Sequence, residues 1–262
     1  MSLVAVAQFA PGTDRSANLD TIRTLVAAAA DRGATLVVLP EYSSWFDPEP
    51  GPEWREAAEE SDGAFGAALA ALAREHRVHL VAGMIQPASG QRVFNTVIAM
   101  DATGRLVAGY RKLHLYDAFG YRESDWVEPG PIAAPETFAW EGFTVGIQTC
   151  YDVRFPEVTR RLVDAGADLV LVPAEWVRGP LKEEHWRTLV TARAIENTVY
   201  VAAADHTPPI GVGASMIVDP MGVALASLGE EPGVVVAEVT RERVASVRRT
   251  NPALAVRRFG VA

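Results

Sequence analysis

The chain is poor in two reactive residues, cysteine and lysine. It has 262 residues and one cysteine, Cys150, so no disulfide forms within it and a reducing, cytoplasmic setting is expected. Long apolar runs are also missing: none reaches the roughly 18 residues of a membrane span, and the opening MSLVAVAQFAPGTD lacks the basic lead and cleavage site of a signal peptide. Only two of the 24 basic residues are lysines, Lys112 and Lys182.

Positive charge is scarce overall. The formal net charge of -9 argues against a nucleic-acid or anionic-membrane partner, because both are bound through basic surfaces. No set of metal ligands surrounds His76 and His79, so we expect no metal site there, and no Walker lysine accompanies a phosphate-binding loop. Hydrophobic residues make up 49% of the chain and no linker interrupts it, which predicts a single globular domain over residues 1–262.

What the chain does contain is a regular alternation of apolar strands and amphipathic helices. Helices are predicted at 16–33, 52–76, 155–166, 182–198 and 240–248, the first with Ser16 as its cap and Gly33 as its stop. Strands are predicted at 3–10, 34–40, 79–85, 93–100, 105–111, 143–149, 167–173, 199–204, 214–219, 223–228 and 233–238.

One pattern occurs twice. LVAAAADRGATLVVLPE at 25–41 resembles RRLVDAGADLVLVPAE at 160–175, and each runs helix, glycine, apolar strand, proline, glutamate. Chance similarity between two ordinary αβ units is one explanation. The other is two similar halves, each a sheet covered by helices on one face, which predicts an α/β protein built as a layered α-β-β-α sandwich.

Three residues with useful chemistry follow apolar strands. Glu41 ends TLVVLPE, Lys112 ends RLVAGYRK and Cys150 ends FTVGIQTC. The carboxyl ends of neighbouring strands meet in α/β folds, so these three side chains are candidates for one site. A buried apolar thiol, a solvated strand-end carboxylate and chance use of lysine remain alternative interpretations of each residue taken alone.

The candidate chemistry is that of a cysteine nucleophile. Backbone amides and the helix dipole at a strand-to-helix turn favour a thiolate and can hold an oxyanion. None of the five histidines is obviously placed as a base, whereas a desolvated Glu41 could accept the thiol proton. The ammonium of Lys112 suits a single developing oxyanion.

Together these segments resemble a known family. LPE at 39–41, RKLHLYD at 111–117 and CYDVRFPE at 150–157 are similar to the three signature segments of the nitrilase superfamily, the carbon–nitrogen hydrolases. AQF near the start, RESDWVEPG at 122–130, HWRTLVTARAIEN at 185–197 and GASMIVDPMG at 213–222 extend the resemblance over nearly the whole chain. The motifs lie closest to the ω-amidase or deaminated-glutathione amidase type.

The resemblance implies a fold, an assembly and a mechanism. The fold is a four-layer αββα sandwich of two mixed sheets packed face to face with helices outside, and subunits pair through helices into a homodimer or a higher homo-oligomer. Glu41 is implied as general base, Lys112 as oxyanion-stabilising cation, Cys150 as nucleophile and Glu123 as a second, positioning glutamate. The backbone N–H of Tyr151 joins Lys112 at the oxyanion, and no metal or cofactor is needed.

Further residues are candidates for the wall of the pocket. Tyr42, Glu175 and Trp176 follow strand ends and are candidates for substrate contact, with loop packing as the alternative. Arg154 either binds a substrate carboxylate or, as we expect, pairs with Asp152 or Glu157. The family often has a histidine where this chain has Ala214, which leaves the polarity of that side of the pocket open.

The sequence therefore predicts a hydrolase that releases ammonia or an amine from a small linear amide through a thioester on Cys150. Carbamoyl or nitrile hydrolysis is the alternative within the family. A thiol hydrolase that pairs Cys150 with His114 and a non-catalytic scaffold are the alternatives outside it.

Overall fold

A computed structural model describes residues 1–261, which form fourteen strands, seven α-helices and two 3-10 helices. The helices are α1 (Arg15–Asp31), α2 (Glu53–Ala57), α3 (Ala64–His76), α4 (Pro156–Asp164), α5 (Lys182–Asn197), α6 (Arg241–Thr250) and α7 (Ala253–Val256), with 3-10 helices at Glu123–Asp125 and Cys150–Arg154. The strands are β1 (Ser2–Gln8), β2 (Leu36–Val38), β3 (His79–Pro87), β4 (Val93–Met100), β5 (Leu106–Arg111), β6 (Asp117–Ala118), β7 (Tyr121–Arg122), β8 (Thr137–Trp140), β9 (Phe143–Ile147), β10 (Leu169–Pro173), β11 (Tyr200–Ala204), β12 (Met216–Val218), β13 (Ala224–Ser227) and β14 (Gly233–Val239).

The strands form two mixed six-stranded sheets and a small hairpin. The first sheet has the order β14-β1-β2-β3-β4-β5, the second has the order β13-β12-β11-β10-β9-β8, and β6 pairs with β7. In each large sheet three strands run parallel, β1-β2-β3 in one and β9-β10-β11 in the other, and the remaining pairs are antiparallel.

The repeated sequence pattern corresponds to a repeated structural unit. In the first sheet α1 connects β1 to β2, and α3 lies between β2 and β3. In the second sheet α4 connects β9 to β10, and α5 connects β10 to β11. Each half thus runs strand-helix-strand-helix-strand with parallel pairing, as such crossover connections require.

Three buried clusters define the layers. One joins the facing sides of both sheets, through residues such as Val38, Ile147 and Leu171. A second packs α1 and α3 against the outer face of the first sheet, and a third packs α4 and α5 against the outer face of the second. The predicted four-layer αββα sandwich is therefore confirmed.

The predicted helix over 52–76 is wrong, because it is two helices. After α2, Ala58 is extended and Glu59 donates its backbone N–H to the Ile85 carbonyl of β3, at 3.1 Å. The Glu59 carboxylate accepts the N–H of Phe65 in the first turn of α3, and Gly63 caps that helix. Tertiary contacts of residues 58–63 thus override a helical composition.

Other element ends also differ from the prediction. Asp14, not Ser16, caps α1, since its carboxylate accepts the N–H groups of Ser16 and Ala17. The predicted helix 155–166 is shorter, and the 3-10 helix before it, the β6–β7 hairpin and β8 were not predicted.

Two kinds of feature are absent from residues 1–261. No helix there is both long and apolar enough to cross a bilayer. That part of the chain also lacks any group of three or more His, Cys, Asp and Glu side chains placed to hold a metal ion.

Candidate active site

The residues predicted from strand ends converge at one edge of the two sheets. Glu41 comes three residues after β2 and Lys112 directly follows β5, both from the first sheet. From the second sheet, Cys150 begins the 3-10 helix that follows β9, and Glu175 comes two residues after β10. The carboxyl ends of the parallel strands β2, β9 and β10 therefore supply most of the site.

Lys112 lies between two buried carboxylates. Its Nζ is 2.9 Å from Glu41 Oε1 and 2.9 Å from Glu123 Oε2, and all three side chains are buried. Burial alone would lower the pKa of Lys112, but the carboxylates of Glu123 and Glu41 raise it well above its ordinary value. The ammonium is therefore charged at neutral pH, and its geometry is fixed by two ion pairs.

Asn95 is a member of this cluster that was not predicted. Its Nδ2 donates to Glu41 Oε1 at 2.5 Å and lies 3.3 Å from Glu123 Oε1, so the two carboxylates share its amide. The signal was present in the sequence, since Asn95 is a polar residue within the apolar strand VFNTVIAM. Buried polar groups need partners, and the Asn95 Nδ2 has two in the site, whereas its buried Oδ1 has none within residues 1–261.

Glu175 connects Glu41 to Cys150 through its main chain. Its N–H donates to Glu41 Oε2 at 2.6 Å, and its carbonyl oxygen accepts a hydrogen bond from Cys150 Sγ at 3.4 Å. Cys150 has a φ of 46°, a left-handed conformation that is unfavourable for a non-glycine residue and projects its thiol from a sharp strand-to-helix turn.

The turn that carries Cys150 is held by Asp152. One carboxylate oxygen accepts the Thr149 N–H at 3.0 Å and the Tyr110 hydroxyl at 2.6 Å. The other accepts the His114 N–H at 3.0 Å and contacts His114 Nδ1 at 2.8 Å. The His114 ring also stacks on Phe155 with 3.7 Å between centroids, so its contacts are those of a structural residue.

The thiol of Cys150 rests in its protonated form. Burial and the negative charge of Glu41 raise its pKa well above the ordinary value, while Lys112 acts in the opposite direction. Nucleophilic attack from this site therefore needs a base that takes the thiol proton as the new bond forms.

Two connected cavities lead to the thiol. The inner chamber has a volume of about 20 Å³ and is lined by Tyr42, Phe46, Trp54, Lys112, Tyr116, Tyr121, Glu123, Cys150, Tyr151, Glu175, Trp176, Val177 and Lys182. The vestibule, about 420 Å³, shares Glu175 and Lys182 with it and adds residues such as Pro48, Phe119 and Ile210. The chamber has room for about one water-sized group, and the vestibule for a longer chain.

Lys182, the second lysine of the chain, is a further residue that was not predicted. It is 4% exposed, and its Nζ is 3.0 Å from the Tyr116 hydroxyl and 4.6 to 4.9 Å from the ring centres of Tyr116, Phe119 and Trp176. No carboxylate of residues 1–261 forms an ion pair with it at 4.0 Å or less. Lysine scarcity, which singled out Lys112, applied equally to Lys182.

The structure places the predicted pocket residues as follows. Tyr42, Tyr151, Glu175 and Trp176 all line the inner chamber, and the Tyr42 hydroxyl donates to Glu123 Oε1 at 2.7 Å. Ala214 lines neither the chamber nor the vestibule; it is buried with the second sheet's helices.

The expectation that Arg154 pairs with Asp152 or Glu157 is wrong. Its guanidinium lies 4.8 Å from the Trp176 ring centre and 3.3 Å from His185 Nδ1, and its buried Nε has no partner within residues 1–261. Asp152 is already occupied by the contacts that hold the Cys150 turn.

Comparisons with known proteins point to one family. Residues 3–249 match the carbon-nitrogen hydrolase family. The chain is 41% identical over 260 residues to the deaminated glutathione amidase of Escherichia coli O157:H7, covering 98% of this chain and 97% of that protein. The fold is similar to that of the NitFhit protein of C. elegans, with a TM-score of 0.89 and 30% identity over 98% of this chain and 65% of that one.

A second solved structure concerns chemistry as well as fold. The amidase from Nesterenkonia sp. AN1 is similar with a TM-score of 0.82 and 30% identity, covering 97% of this chain and 96% of that one. In that structure, of a glutamate-to-glutamine variant, the acetamide moiety of fluoroacetamide is added covalently at the active-site cysteine.

Proposed function

The chain belongs to the carbon-nitrogen hydrolase family, and from this premise we propose that Glu41, Lys112 and Cys150 form its catalytic triad. The family resemblance predicted from the motifs is confirmed. The chain is a hydrolase of amide carbon–nitrogen bonds, as its amidase relatives are. The observation that carries the triad assignment is the buried contact of Lys112 with Glu41 beside the chamber that contains Cys150.

The proposed mechanism uses Glu41 as the proton carrier. Glu41 takes the thiol proton while Sγ of Cys150 attacks the amide carbon, and Lys112 and the Tyr151 N–H stabilise the oxyanion. Glu41 then protonates the leaving nitrogen, the C–N bond breaks and ammonia or an amine departs. Water attacks the thioester, Glu41 takes a water proton and returns it to sulfur, and the carboxylic acid leaves.

Glu123 supports this mechanism without entering it. Its carboxylate accepts from Lys112, from the Tyr42 hydroxyl and from the Tyr116 N–H, the last at 2.6 Å. We assign it the positioning of Lys112, because these bonds hold in place a carboxylate that contacts the ammonium.

The substrate class that we propose is a small linear amide whose acyl part ends in an oxyanion. Lys182 brings a buried cation without an acidic partner to the junction of the chamber and the vestibule. Arg154 adds a second cation over the Trp176 ring. The relatives named deaminated glutathione amidase support an amide over a nitrile or carbamoyl substrate.

Assembly and location are also proposals. We propose a homodimer or higher homo-oligomer that pairs through helices, and a cytoplasmic setting in which the single thiol of Cys150 stays reduced. A single carbon–nitrogen hydrolase domain over residues 1–262 likewise stays a prediction.

An amide panel with detection of released ammonia tests the function. The wild type should release ammonia, and Glu41→Gln should lower kcat by at least about 10³-fold because base and proton donor are lost together. Incubation of Glu41→Gln with fluoroacetamide should leave an adduct on Cys150, visible by mass spectrometry and absent from Cys150→Ala.

His114→Asn is the matched variant for the rival thiol–histidine mechanism. Retained activity in His114→Asn together with loss in Glu41→Gln supports the triad. The reverse pattern would favour a cysteine–histidine hydrolase, and a wild type silent across the panel would favour a non-catalytic scaffold.

A further inference from the structure

The main chain of Glu41 is held by a buried histidine from the opposite sheet. His206 lies two residues after β11 and is fully buried, with Nε2 2.7 Å from the Glu41 carbonyl oxygen. A carbonyl oxygen only accepts, so Nε2 carries the proton and donates. Burial lowers the pKa of His206 to about 4, which keeps the ring neutral at pH 7.

The peptide group that His206 holds is part of an unfavourable turn. Residues 40–44, here called the base loop, contain Tyr42 at a φ of 53°, in the left-handed region that non-glycine residues rarely adopt. Such a conformation persists only where surrounding contacts enforce it. The bond from His206 fixes the carbonyl of the peptide that joins Glu41 to Tyr42.

Rotation of this peptide group would displace two functional side chains. The Glu41 carboxylate contacts Lys112 at 2.9 Å, and the Tyr42 hydroxyl donates to Glu123 at 2.7 Å. Both side chains leave the main chain on either side of the peptide that His206 holds. A change of ψ at Glu41 and φ at Tyr42 would therefore misplace the base and loosen Glu123.

The imidazole of His206 is itself fixed. The main-chain carbonyl of His206 accepts the Gly213 N–H at 2.8 Å, and a Cβ on Gly211 would lie 2.3 Å from that carbonyl oxygen. The ring of His206 meets the Phe46 ring edge-on, with 5.2 Å between their centres. Its Nδ1 is buried and has no partner within residues 1–261. The single polar contact of this ring is thus the donation to Glu41.

We infer that His206 is a positioning residue for the general base. From the second sheet, its hydrogen bond to the main-chain carbonyl of Glu41 keeps that residue in place. This inference rests on the proposed role of Glu41 as base. Residue 206 has to supply one neutral N–H donor that reaches the Glu41 carbonyl oxygen. Glutamine can supply this donor, because its Nε2 is as many bonds from Cα as the Nε2 of histidine.

A matched set of variants distinguishes the effect of the N–H donor of residue 206 from the effect of its side-chain volume. His206→Gln keeps an N–H at the same reach, whereas His206→Met has a similar length without a donor. We expect His206→Gln to keep kcat within about 3-fold of the wild type and His206→Met to lose about 100-fold in kcat, with KM changed less than about 3-fold in both. His206→Asn keeps an amide one bond too short and should match His206→Met, which decides the question if His206→Met does not fold.

Tyr200→Phe is the structural control. It removes the 3.2 Å hydrogen bond from the Thr240 N–H to the Tyr200 hydroxyl, at the end of β11 far from His206. It should leave kcat unchanged even if it lowers Tm. Equal kcat values for the Gln, Met and Asn variants, or losses that track Tm and recur in Tyr200→Phe, would overturn the positioning role alone. An active wild type with an active Glu41→Gln would overturn the role of Glu41 and this inference with it.

Discussion

The two lysines of the chain, Lys112 and Lys182, both lie buried in the wall of the inner chamber. Lysine is almost never fully buried unless it is paired, because its charge is costly to remove from water. Lys112 meets this requirement with two carboxylates, whereas Lys182 has aromatic rings and one hydroxyl. Cation–π contacts offset only part of the cost, so we expect an anionic group of the substrate to complete the environment of Lys182.

Replacing Lys182 should change substrate preference. We expect Lys182→Gln to lower kcat/KM for glutaramate, a five-carbon amide with a terminal carboxylate, by about 10- to 100-fold, since a hydrogen bond to a charged group contributes about 1.5–3 kcal/mol. For pentanamide, the neutral five-carbon amide, the change should stay within about 3-fold. Steady-state ammonia release on both substrates measures the ratio.

Arg23→Gln provides the matched charge control, because Arg23 is exposed on α1 and paired only with Asp20. It should leave both substrates unchanged. Equal losses on glutaramate and pentanamide in Lys182→Gln would show that Lys182 supports the fold of the chamber rather than binding an oxyanion.

The carboxyl group of Glu175 should make stability depend on pH. Burial, Glu41 and Asp205 raise its pKa well above the ordinary value, against a smaller opposite effect of Lys112. Above the unfolded pKa of about 4.3 the native state then binds a proton that the unfolded state has released, so stability falls as pH rises towards the folded pKa. Glu175→Gln removes this contribution, and its Tm should fall less than that of the wild type between pH 5 and pH 8.

Thermal unfolding followed by circular dichroism at both pH values measures this difference. Glu49→Gln, at an exposed loop position, serves as the control and should keep the wild-type pH dependence. Parallel Tm curves for the wild type and Glu175→Gln would contradict the assignment of a protonated Glu175.

At the scale of elements, strand ends were predictable and irregular segments were not. Apolar runs ending in Glu41, Lys112 and Cys150 identified strands of both sheets and the edge where the site forms, because the same residues encode local structure and chemistry. Residues 58–63 were assigned to a helix because the tertiary contact of Glu59 with the Ile85 carbonyl, which helps to break it, leaves no local pattern. The β6–β7 hairpin has two residues in each strand, too few for a periodic signal.

Gly83 shows how an element positions the base. It lies in β3, and a Cβ there would be 2.4 Å from the Tyr42 nitrogen and 2.6 Å from the Glu41 Cα, both main-chain atoms that cannot move aside. Gly83→Ala should therefore displace the base loop, lower kcat by about 100-fold and reduce Tm by at least about 3 °C. Activity assays and thermal unfolding measure the two effects.

Gly109 offers a control within the same sheet. It lies in β5, and a Cβ there would meet nothing within 4 Å. Gly109→Ala should leave kcat unchanged and keep or raise Tm, because alanine reduces the entropy of the unfolded chain. Equal kcat and Tm values for Gly83→Ala and Gly109→Ala would show that the contact of β3 with the base loop does not affect activity.

At the scale of the whole molecule, the site depends on contacts that no local pattern reveals. Glu41 meets Lys112 71 residues away, the Glu175 N–H 134 residues away and His206 165 residues away. The proposed triad was predicted because its motifs resemble a family, and the predicted hydrolase function and fold are confirmed. Asn95 and His206 lie outside those motifs. Strand pairing within the first sheet brings Asn95 of β4 to Glu41, and the packing of the second sheet on the first brings His206.

The outer side of α5 carries a shallow groove, and we expect it to form the homodimer interface. Arg187, Thr188, Thr191, Ala192 and Ile195 line a shallow groove along the outer side of α5, and Ile195 is 45% exposed. Contact between two copies of this groove would remove Ile195 from water, which favours pairing. Light scattering behind size exclusion should give twice the chain mass of 28.2 kDa at micromolar concentration.

Ile195→Arg should shift that mass towards the monomer, because an interface would have to bury an unpaired charge on each subunit. Thr24→Arg introduces the same charge at an exposed position of α1, on the opposite outer layer, and should leave the dimer intact. If the two variants dissociate equally, net charge rather than the α5 groove governs assembly. If the wild type is a monomer, helix pairing through α5 is wrong for this protein, while the triad, which lies within one chain, is unaffected.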